Sequence, residues 1–162
     1  CKRRGIEDFV EVCRRRPDVR VSWLGSINKW ISPRKIRRIV EKDHPSNVEF
    51  PGYFKGAVFQ GAMTGSDAFF FPSYEETEGI VVLEALASHQ HTVLRDIPVY
   101  NGWIDETSSE LCHNVDEFVD SLNKVLNGQV DKREAGYKVA ESRSIDLVAY
   151  QLVEAYQTVL EM

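Results

Sequence analysis

The segment SYEETEGIVVLEALAS, residues 73–88, carries acidic side chains on both sides of a glycine and a short apolar run. Glu76 and Glu78 come just before Gly79, and Glu84 follows after a short apolar run. Carboxylates accept hydrogen bonds from sugar hydroxyl groups, and a glycine lets backbone N–H groups approach a ligand with no Cβ in the way. The spacing therefore predicts a site that binds a phosphate near the glycine and sugar hydroxyls at the acids on either side.

The elements around this segment must bring it to a sheet edge. The apolar run DAFFFPS, residues 67–73, is typical of a buried parallel strand, and the sequence after Gly79 has a helical pattern. Residues 73–78 are then a loop at the carboxyl end of a strand, where open α/β sheets bind their ligands. A helix that begins near residue 79 presents unpaired N–H groups and a partial positive charge to a phosphate.

The remaining pattern predicts an α/β fold. Ser32 is expected to cap a helix with Pro33 at its first position, and Gly128 is expected to follow the end of another. Strands alternate with helices, which predicts a Rossmann-like parallel sheet with helices on both faces, in one domain over residues 1–162. Helices are predicted over residues 5–16, 32–44, 55–66 and 117–128 and from about residue 144, and further strands over residues 19–25, 47–52 and 91–96.

Composition and charge narrow the class of protein. The 162 residues are 43% hydrophobic, which suits one core, and no apolar run approaches the roughly 20 residues of a membrane-spanning helix. Residues 1–62 carry 14 Lys and Arg against 7 Asp and Glu, whereas residues 63–162 carry 6 against 18. The basic half is compatible with phosphates, with an anionic membrane surface, or with solvated helix faces.

Cysteines and histidines give no sign of a metal site. The three cysteines, Cys1, Cys13 and Cys112, lack metal-ligand spacing and are expected to be reduced thiols. The four histidines show no metal-site pattern either. The chain begins directly in the charged sequence CKRRG, which we interpret as part of a longer protein.

The segment PSYEETEGIVVLEALA, residues 72–87, resembles the signature of retaining glycosyltransferases of family 4, which have the GT-B fold. That signature is Pro-Ser, a few residues, a Glu, seven residues and a second Glu, followed by a small apolar helix. The pair of glutamates is here Glu76 and Glu84. The usual Glu-Gly-Phe-Gly is replaced by Glu-Thr-Glu-Gly, so the second glycine is kept, whereas the first glycine and the Phe are not.

Other segments resemble the same family, over almost all of residues 2–160. RRGIEDFVEV is similar to the segment that opens the donor-binding half of a GT-B enzyme, with Arg4 where a phosphate-binding lysine is usual. The resemblance therefore predicts the C-terminal half of such an enzyme, without the N-terminal acceptor domain. Four segments are similar in sequence to the bacterial subgroup of 1,2-diacylglycerol 3-glucosyltransferases: DAFFFPSYEETEGIVVLEALAS, LRDIPVY, KDHP and AGYKVAESRS.

The resemblance implies a role for each matched residue. Glu84 would hold the ribose hydroxyls of a UDP-sugar, and Glu76 would contact the transferred sugar at the catalytic centre. Arg4 would offset the negative charge of the departing diphosphate. Thr77 and Glu78 would contact the sugar, and Gly52 and Tyr53 would contact the uracil. Gly79, Ile80 and Val81 would bind the diphosphate through their backbone N–H groups, with the side chains of Ile80 and Val81 in the core.

The resemblance also implies a reaction. Glucose would pass from UDP-glucose to diacylglycerol with retention, in the synthesis of membrane glycolipids and lipoteichoic acid anchors, with no metal or other cofactor. The lipid acceptor would be bound through the missing N-terminal domain, so the chain alone is expected to bind the sugar donor without turnover. No nucleic acid partner is expected.

A basic segment suggests where such an enzyme would work. NKWISPRKIRR, residues 28–38, combines Trp30 and Ile31 with five basic residues that include Lys29. This composition suits an anionic lipid surface. We therefore expect a cytoplasmic protein that binds peripherally to the inner face of the plasma membrane.

Four other interpretations remain open at this stage. The chain could be another family 4 glycosyltransferase with a different acceptor, or a non-catalytic module that binds a nucleotide sugar. The paired glutamates could belong to a hydrolase, which needs its two carboxylates about 5–9 Å apart. The chain could also be a purely structural α/β domain. The sequence does not distinguish glucose from galactose as the transferred sugar.

Overall fold

The computed structural model describes residues 2–28 and 30–160. Cys1 and Lys29, expected above to be a reduced thiol and a membrane-facing charge, lie outside the described residues. The described residues form α1 (Ile6–Arg15), β1 (Val21–Leu24), α2 (Arg34–Glu41), β2 (Val48–Gly52), α3 (Ala57–Gly65), β3 (Ala68–Phe71), α4 (Ile80–Ala87), β4 (His91–Arg95), β5 (Glu110–Cys112), α5 (Val115–Leu126), α6 (Arg133–Glu141) and α7 (Ile145–Leu160), with short 3₁₀ helices at Lys2–Arg4 and Pro98–Tyr100.

The strands pair in parallel, as the alternation of strands and helices predicted. Strand β1 pairs with β2, with Val21 opposite Val48. The other sheet has the order β3-β4-β5, with Phe71 of β3 opposite Leu94 of β4. The described strands thus divide between two sheets, and the carboxyl ends of β3 and β4 lie side by side.

Helix α1 joins the two sheets through its apolar face. Ile6, Phe9 and Val10 are buried, as their helical spacing predicted. The Phe9 ring stacks on Phe70 of β3 at 5.5 Å between centroids and meets Trp23 of β1 edge-on at 4.9 Å. Burying a side chain of this size stabilises the fold by about 2–3 kcal/mol, so α1 is fixed against both sheets.

Helix α4 is held from two sides. Its inner residues Val82 and Leu86 share a core with Leu94 of β4 and with Tyr100. Helix α6 also packs on α4, so closely that a Cβ on Gly136 would lie 2.6 Å from Leu86 Cδ2. The start of α4 therefore has a fixed position relative to the sheet.

Several predicted boundaries need correction. Helix α2 begins at Arg34 with Pro33 as its N-cap residue, and Ser32 caps nothing, because its buried hydroxyl has no described partner. Strand β3 is half-buried rather than buried. The prediction for Gly128 is confirmed, since it follows α5 with φ 67°. Strand β5 and helix α6 were not predicted.

The C-terminal helix α7 was predicted as a long amphipathic helix. It forms from Ile145 to Leu160, but none of its residues is buried. Of the helices in the described ranges, none combines the length and the apolar character needed to cross a bilayer.

Candidate functional site

The first turn of α4 offers free backbone donors. Its N-cap residue Gly79 has φ 81° and ψ 34°, a left-handed conformation that favours glycine. Over the described chain, the amides of Ile80 and Val81 find no acceptor, and no acid lies in the first turn. Helix N-termini of this kind carry a partial positive charge, so this turn is suited to bind an anion.

A glycine contact brings the start of the chain to this turn. Gly5 precedes α1 with φ 70°, and a Cβ built on it would lie 2.1 Å from the carbonyl oxygen of Pro72. Nearby, the Tyr74 amide donates to the Arg3 carbonyl at 2.9 Å. The loop after β3 is thereby fixed against the chain before α1, which places Arg4 beside the acidic loop.

Arg4 and Glu76 form an ion pair across this contact. The Arg4 guanidinium donates through Nη1 to Glu76 Oε1, although the residues are 72 positions apart. The Glu76 side chain is only 8% exposed, whereas that of Arg4 is 41% exposed. Burial lowers the pKa of Arg4 below its ordinary value, and the charge of Arg3 acts in the same direction. The two residues that the resemblance assigns to phosphate and sugar are therefore bound to each other here.

A buried arginine holds the loop that carries Glu76. Arg95, at the end of β4, donates through Nε to the Pro72 carbonyl at 3.0 Å and through Nη1 to the His113 carbonyl at 2.8 Å. It also pairs with Asp8, which accepts from the Tyr74 hydroxyl at 2.6 Å. The guanidinium lies 3.9 Å from the centre of the Tyr74 ring. Sequence reasoning missed this network, because its members come from separate segments.

Two buried hydroxyl groups flank the acidic loop without a partner. Neither Ser73 Oγ nor the Tyr100 hydroxyl has a hydrogen bond within the described structure. The Tyr100 ring is 2% exposed, and its Cε1 lies 3.1 Å from a Cβ built on Gly79. Burial raises the pKa of Tyr100, so the phenol stays protonated and remains a hydrogen-bond donor at neutral pH.

The other predicted residues of this segment differ in exposure. Glu84 lies on the exposed side of α4, and its carboxylate has no hydrogen bond or ion pair to any described residue. Thr77 and Glu78 are exposed in the loop before Gly79. The expectation that Ile80 packs in the core is wrong, since its side chain is 59% exposed. The same expectation holds in part for Val81, which is partly buried and packs against the core that contains Val82.

Gly52 and Tyr53 lie apart from this cluster. They stand at the carboxyl end of β2, in the other sheet. Gly52 has φ 97° with open space around it, and the Tyr53 side chain is 69% exposed. The predicted contact of this pair with uracil stays a prediction.

The candidate site is an open surface formed by Arg4, Glu76, Glu84 and the first turn of α4, which we call the ledge. A cleft lined by Arg16, Ser22 and Phe70, among others, runs between the two sheets, and it includes none of residues 73–84. Over the described ranges, no group of three or more His, Cys, Asp or Glu side chains is placed to hold a metal ion. At the ledge, positive charge comes from Arg4 and the helix terminus, and carboxylates stand on either side.

Together the fold and the site define a Rossmann-like domain with a free helix terminus that is suited to an anion and has an acid on either side in the sequence. Comparison with known proteins then gives its family. Residues 2–143 match the family described as glycosyl transferases group 1. The processive diacylglycerol alpha-glucosyltransferase of Acholeplasma laidlawii is 47% identical over 163 residues, which cover 99% of this chain and 49% of that protein. The chain belongs to the glycosyl transferases group 1 family.

Solved structures agree with the fold. Sucrose-phosphate synthase of Thermosynechococcus elongatus superposes with a TM-score of 0.84 at 18% identity, over 99% of this chain and 43% of that one. Anabaena Alr3699/HepE in complex with UDP-glucose gives 0.78 at 16% identity, over 98% and 46%. The predicted family and fold class are thus confirmed. The chain spans about half the length of the A. laidlawii relative.

Proposed function

We propose that this chain binds UDP-glucose as the donor-binding part of a retaining transferase that moves glucose to diacylglycerol. One observation carries the proposal: the free amides of Ile80 and Val81 begin the helix that carries the exposed Glu84, and the loop just before that helix carries Glu76, paired with the cation Arg4. The names of two similar proteins support the choice of substrates. One is a diacylglycerol glucosyltransferase, and the other was crystallised with UDP-glucose.

In this proposal the diphosphate lies on the first turn of α4. The amides of Ile80 and Val81 donate hydrogen bonds to its oxygens. The Arg4 guanidinium leaves Glu76 and donates to the phosphate oxygens instead. This exchange is feasible because the Arg4 side chain is 41% exposed and retains freedom to move. A fixed cation and a helix terminus both stabilise the charge that develops on the leaving diphosphate.

The two glutamates then take the two sugars of the donor. Glu84 lies about 7.5 Å along the helix axis from Gly79, at 1.5 Å per residue, which suits a ribose attached to the diphosphate. Glu76, released from Arg4, accepts hydrogen bonds from the glucose hydroxyls. Thr77 and Glu78 flank the glucose from the same loop, and they are exposed enough to do so.

The reaction in this proposal needs no protein base. The bond between the glucose anomeric carbon and the diphosphate oxygen breaks, and the electron pair leaves with UDP. The lipid hydroxyl oxygen bonds to the same face of that carbon, and its proton passes to the leaving phosphate. The domain contributes charge stabilisation and positioning, which are properties of Arg4 and the α4 terminus.

Glu84→Ala tests the role assigned to the ribose contact. We expect the affinity for UDP, UDP-glucose and UDP-galactose to fall about tenfold in each case, as for loss of one charged hydrogen bond at an exposed position. Isothermal titration of the 162-residue chain measures this. Asp120→Ala, which removes an exposed acid from α5, is the matched control and should leave all three affinities unchanged.

The same titrations decide between the competing functions. Binding of UDP by the unaltered chain supports the proposal, and preference for UDP-glucose over UDP-galactose would identify the sugar. No binding of any of the three ligands would point to a structural domain. Hydrolysis of a nitrophenyl glucoside without UDP binding would point to a hydrolase.

A second part of the proposal concerns the membrane. Trp30 is 93% exposed and Ile31 is 79% exposed, immediately before the basic helix α2. Ile36 and Ile39 anchor α2 in the core, so its cationic face points outward. We propose that this face binds an anionic lipid surface, which would bring the domain to its lipid acceptor.

Changing Arg34, Lys35, Arg37 and Arg38 together to alanine tests this. We expect binding to vesicles that contain phosphatidylglycerol to weaken at least about tenfold, since each basic residue near such a surface contributes about 1 kcal/mol. The control variant changes Arg20, Lys124, Arg133 and Lys138 to alanine and alters the net charge equally. Equal binding by both variants in vesicle sedimentation would contradict the membrane proposal.

A further inference from the structure

The Tyr100 hydroxyl is the feature of the site that the proposed function has not used. Tyr100 ends the short 3₁₀ helix after β4, so it reaches the ledge from the strand next to β3. Its ring is 2% exposed and packs over Gly79, with the hydroxyl 3.8 Å from a Cβ built there. The ring also meets Trp103 edge-on at 5.6 Å. These contacts fix the ring at the start of α4.

The hydroxyl is buried there without a partner. An unsatisfied buried hydroxyl destabilises a fold, so a ligand that supplies its partner would explain its position. Ser32 and Ser73 also have unpartnered hydroxyls, but a serine side chain is small and can rotate. The Tyr100 oxygen is held by a large packed ring and has few other positions.

The neighbours of the hydroxyl indicate what kind of partner it lacks. The positive charge of Arg4 is close enough to oppose the rise in the pKa of Tyr100 that burial causes. Arg4 has only donors, and the amides of Ile80 and Val81 are donors as well. The Tyr100 hydroxyl lies against Gly79, directly before these amides, so a partner that suits all of these donors is an acceptor with negative charge.

We propose that the Tyr100 hydroxyl donates a hydrogen bond to a diphosphate oxygen of the bound nucleotide sugar, which makes Tyr100 a further binding residue of this site. The proposal rests on the proposed function, because it takes the diphosphate to lie on the first turn of α4. The hydroxyl is buried in this structure, so the contact requires the atoms that cover it to move when the diphosphate binds. Tyr100 would then distinguish a diphosphate from a bare nucleoside.

Tyr100→Phe tests this with little change in packing. We expect the dissociation constant for UDP to rise about tenfold, the usual effect of one hydrogen bond to a charged group. Weak binding of uridine, followed by NMR shifts, should not change. The melting temperature without nucleotide should stay equal or rise, because an unsatisfied buried hydroxyl is removed. Tyr137→Phe, on α6 where the ring stacks on His89, should bind UDP as the unaltered chain does.

The outcomes separate this inference from the proposed function. If the unaltered chain binds UDP and Tyr100→Phe binds it equally well, the role of Tyr100 is refuted and the proposed function stands. If the unaltered chain binds no UDP, both fail. Should the variant not fold, the unaltered chain labelled at tyrosine Cζ gives the answer: the Tyr100 resonance should shift with UDP and not with uridine, and an unmoved resonance with bound UDP refutes the contact.

Discussion

Gly79→Val is expected to reduce the affinity for UDP by at least about 100-fold. The residue has φ 81°, where an L side chain is strained by about 1–2 kcal/mol. A Cβ would also lie 3.1 Å from Tyr100 Cε1, and a branched side chain would displace that ring further. Both effects move the first-turn amides, and loss of two hydrogen bonds to a charged diphosphate weakens binding about 100-fold. Isothermal titration with UDP measures the loss.

Gly128→Val separates the site effect from general strain. Gly128 has φ 67° and nothing within 4 Å of a built Cβ, and it follows α5. The control should be destabilised by a similar backbone strain in thermal melting, yet keep its affinity for UDP. A folded Gly79→Val chain that binds UDP within about threefold of the original would show that the diphosphate does not use this terminus.

The second large effect is expected at the Arg4–Glu76 pair. Substitution of Arg4 and substitution of Glu76 should change the affinity for UDP in opposite directions. Arg4→Met should weaken UDP binding about 100-fold, because a guanidinium makes about two charged hydrogen bonds to a diphosphate. Glu76→Gln should instead strengthen UDP binding about threefold, since it frees Arg4 from a partly exposed pair of modest strength. For UDP-glucose, Glu76→Gln replaces a charged acceptor with a neutral amide at the sugar, so the affinity gained from the glucose should fall.

Titration of both variants with UDP and UDP-glucose checks these signs. Arg14→Met removes an exposed arginine from α1 and serves as the control for loss of one positive charge. If Glu76→Gln weakens UDP and UDP-glucose equally, Glu76 supports the loop and does not exchange partners. If Arg4→Met binds UDP normally, the cation at the diphosphate is another residue.

The sequence was sufficient for the parts of the site that lie in one segment. Gly79 stands between a run of acids and an apolar helix, and that local order predicted a helix terminus with free amides. Glu84 follows at a helical spacing that places it one turn further on. The resemblance of RRGIEDFVEV to the family added Arg4, which the structure brings to Glu76.

The missing parts depend on contacts between distant segments. Nothing local in VLRDIPVYNGW indicates that Tyr100 packs on Gly79, or that Arg95 holds the loop after β3. The start of α2 was placed too early because Ser32 and Pro33 form a common capping pattern, whereas Pro33 takes an extended conformation here. Helix α6 was missed because Gly136 lies within it and glycine disfavours a helix, and that glycine is explained by its close approach to Leu86.

The position of the diphosphate is the central claim, and a crystal structure of this chain with UDP-glucose tests it most directly. We expect diphosphate oxygens within hydrogen-bond distance of the Ile80 and Val81 amides, the Arg4 guanidinium turned away from Glu76 toward them, and the ribose at Glu84. A nucleotide bound elsewhere, with Arg4 still paired to Glu76 and the first turn of α4 free of contacts, would contradict the account.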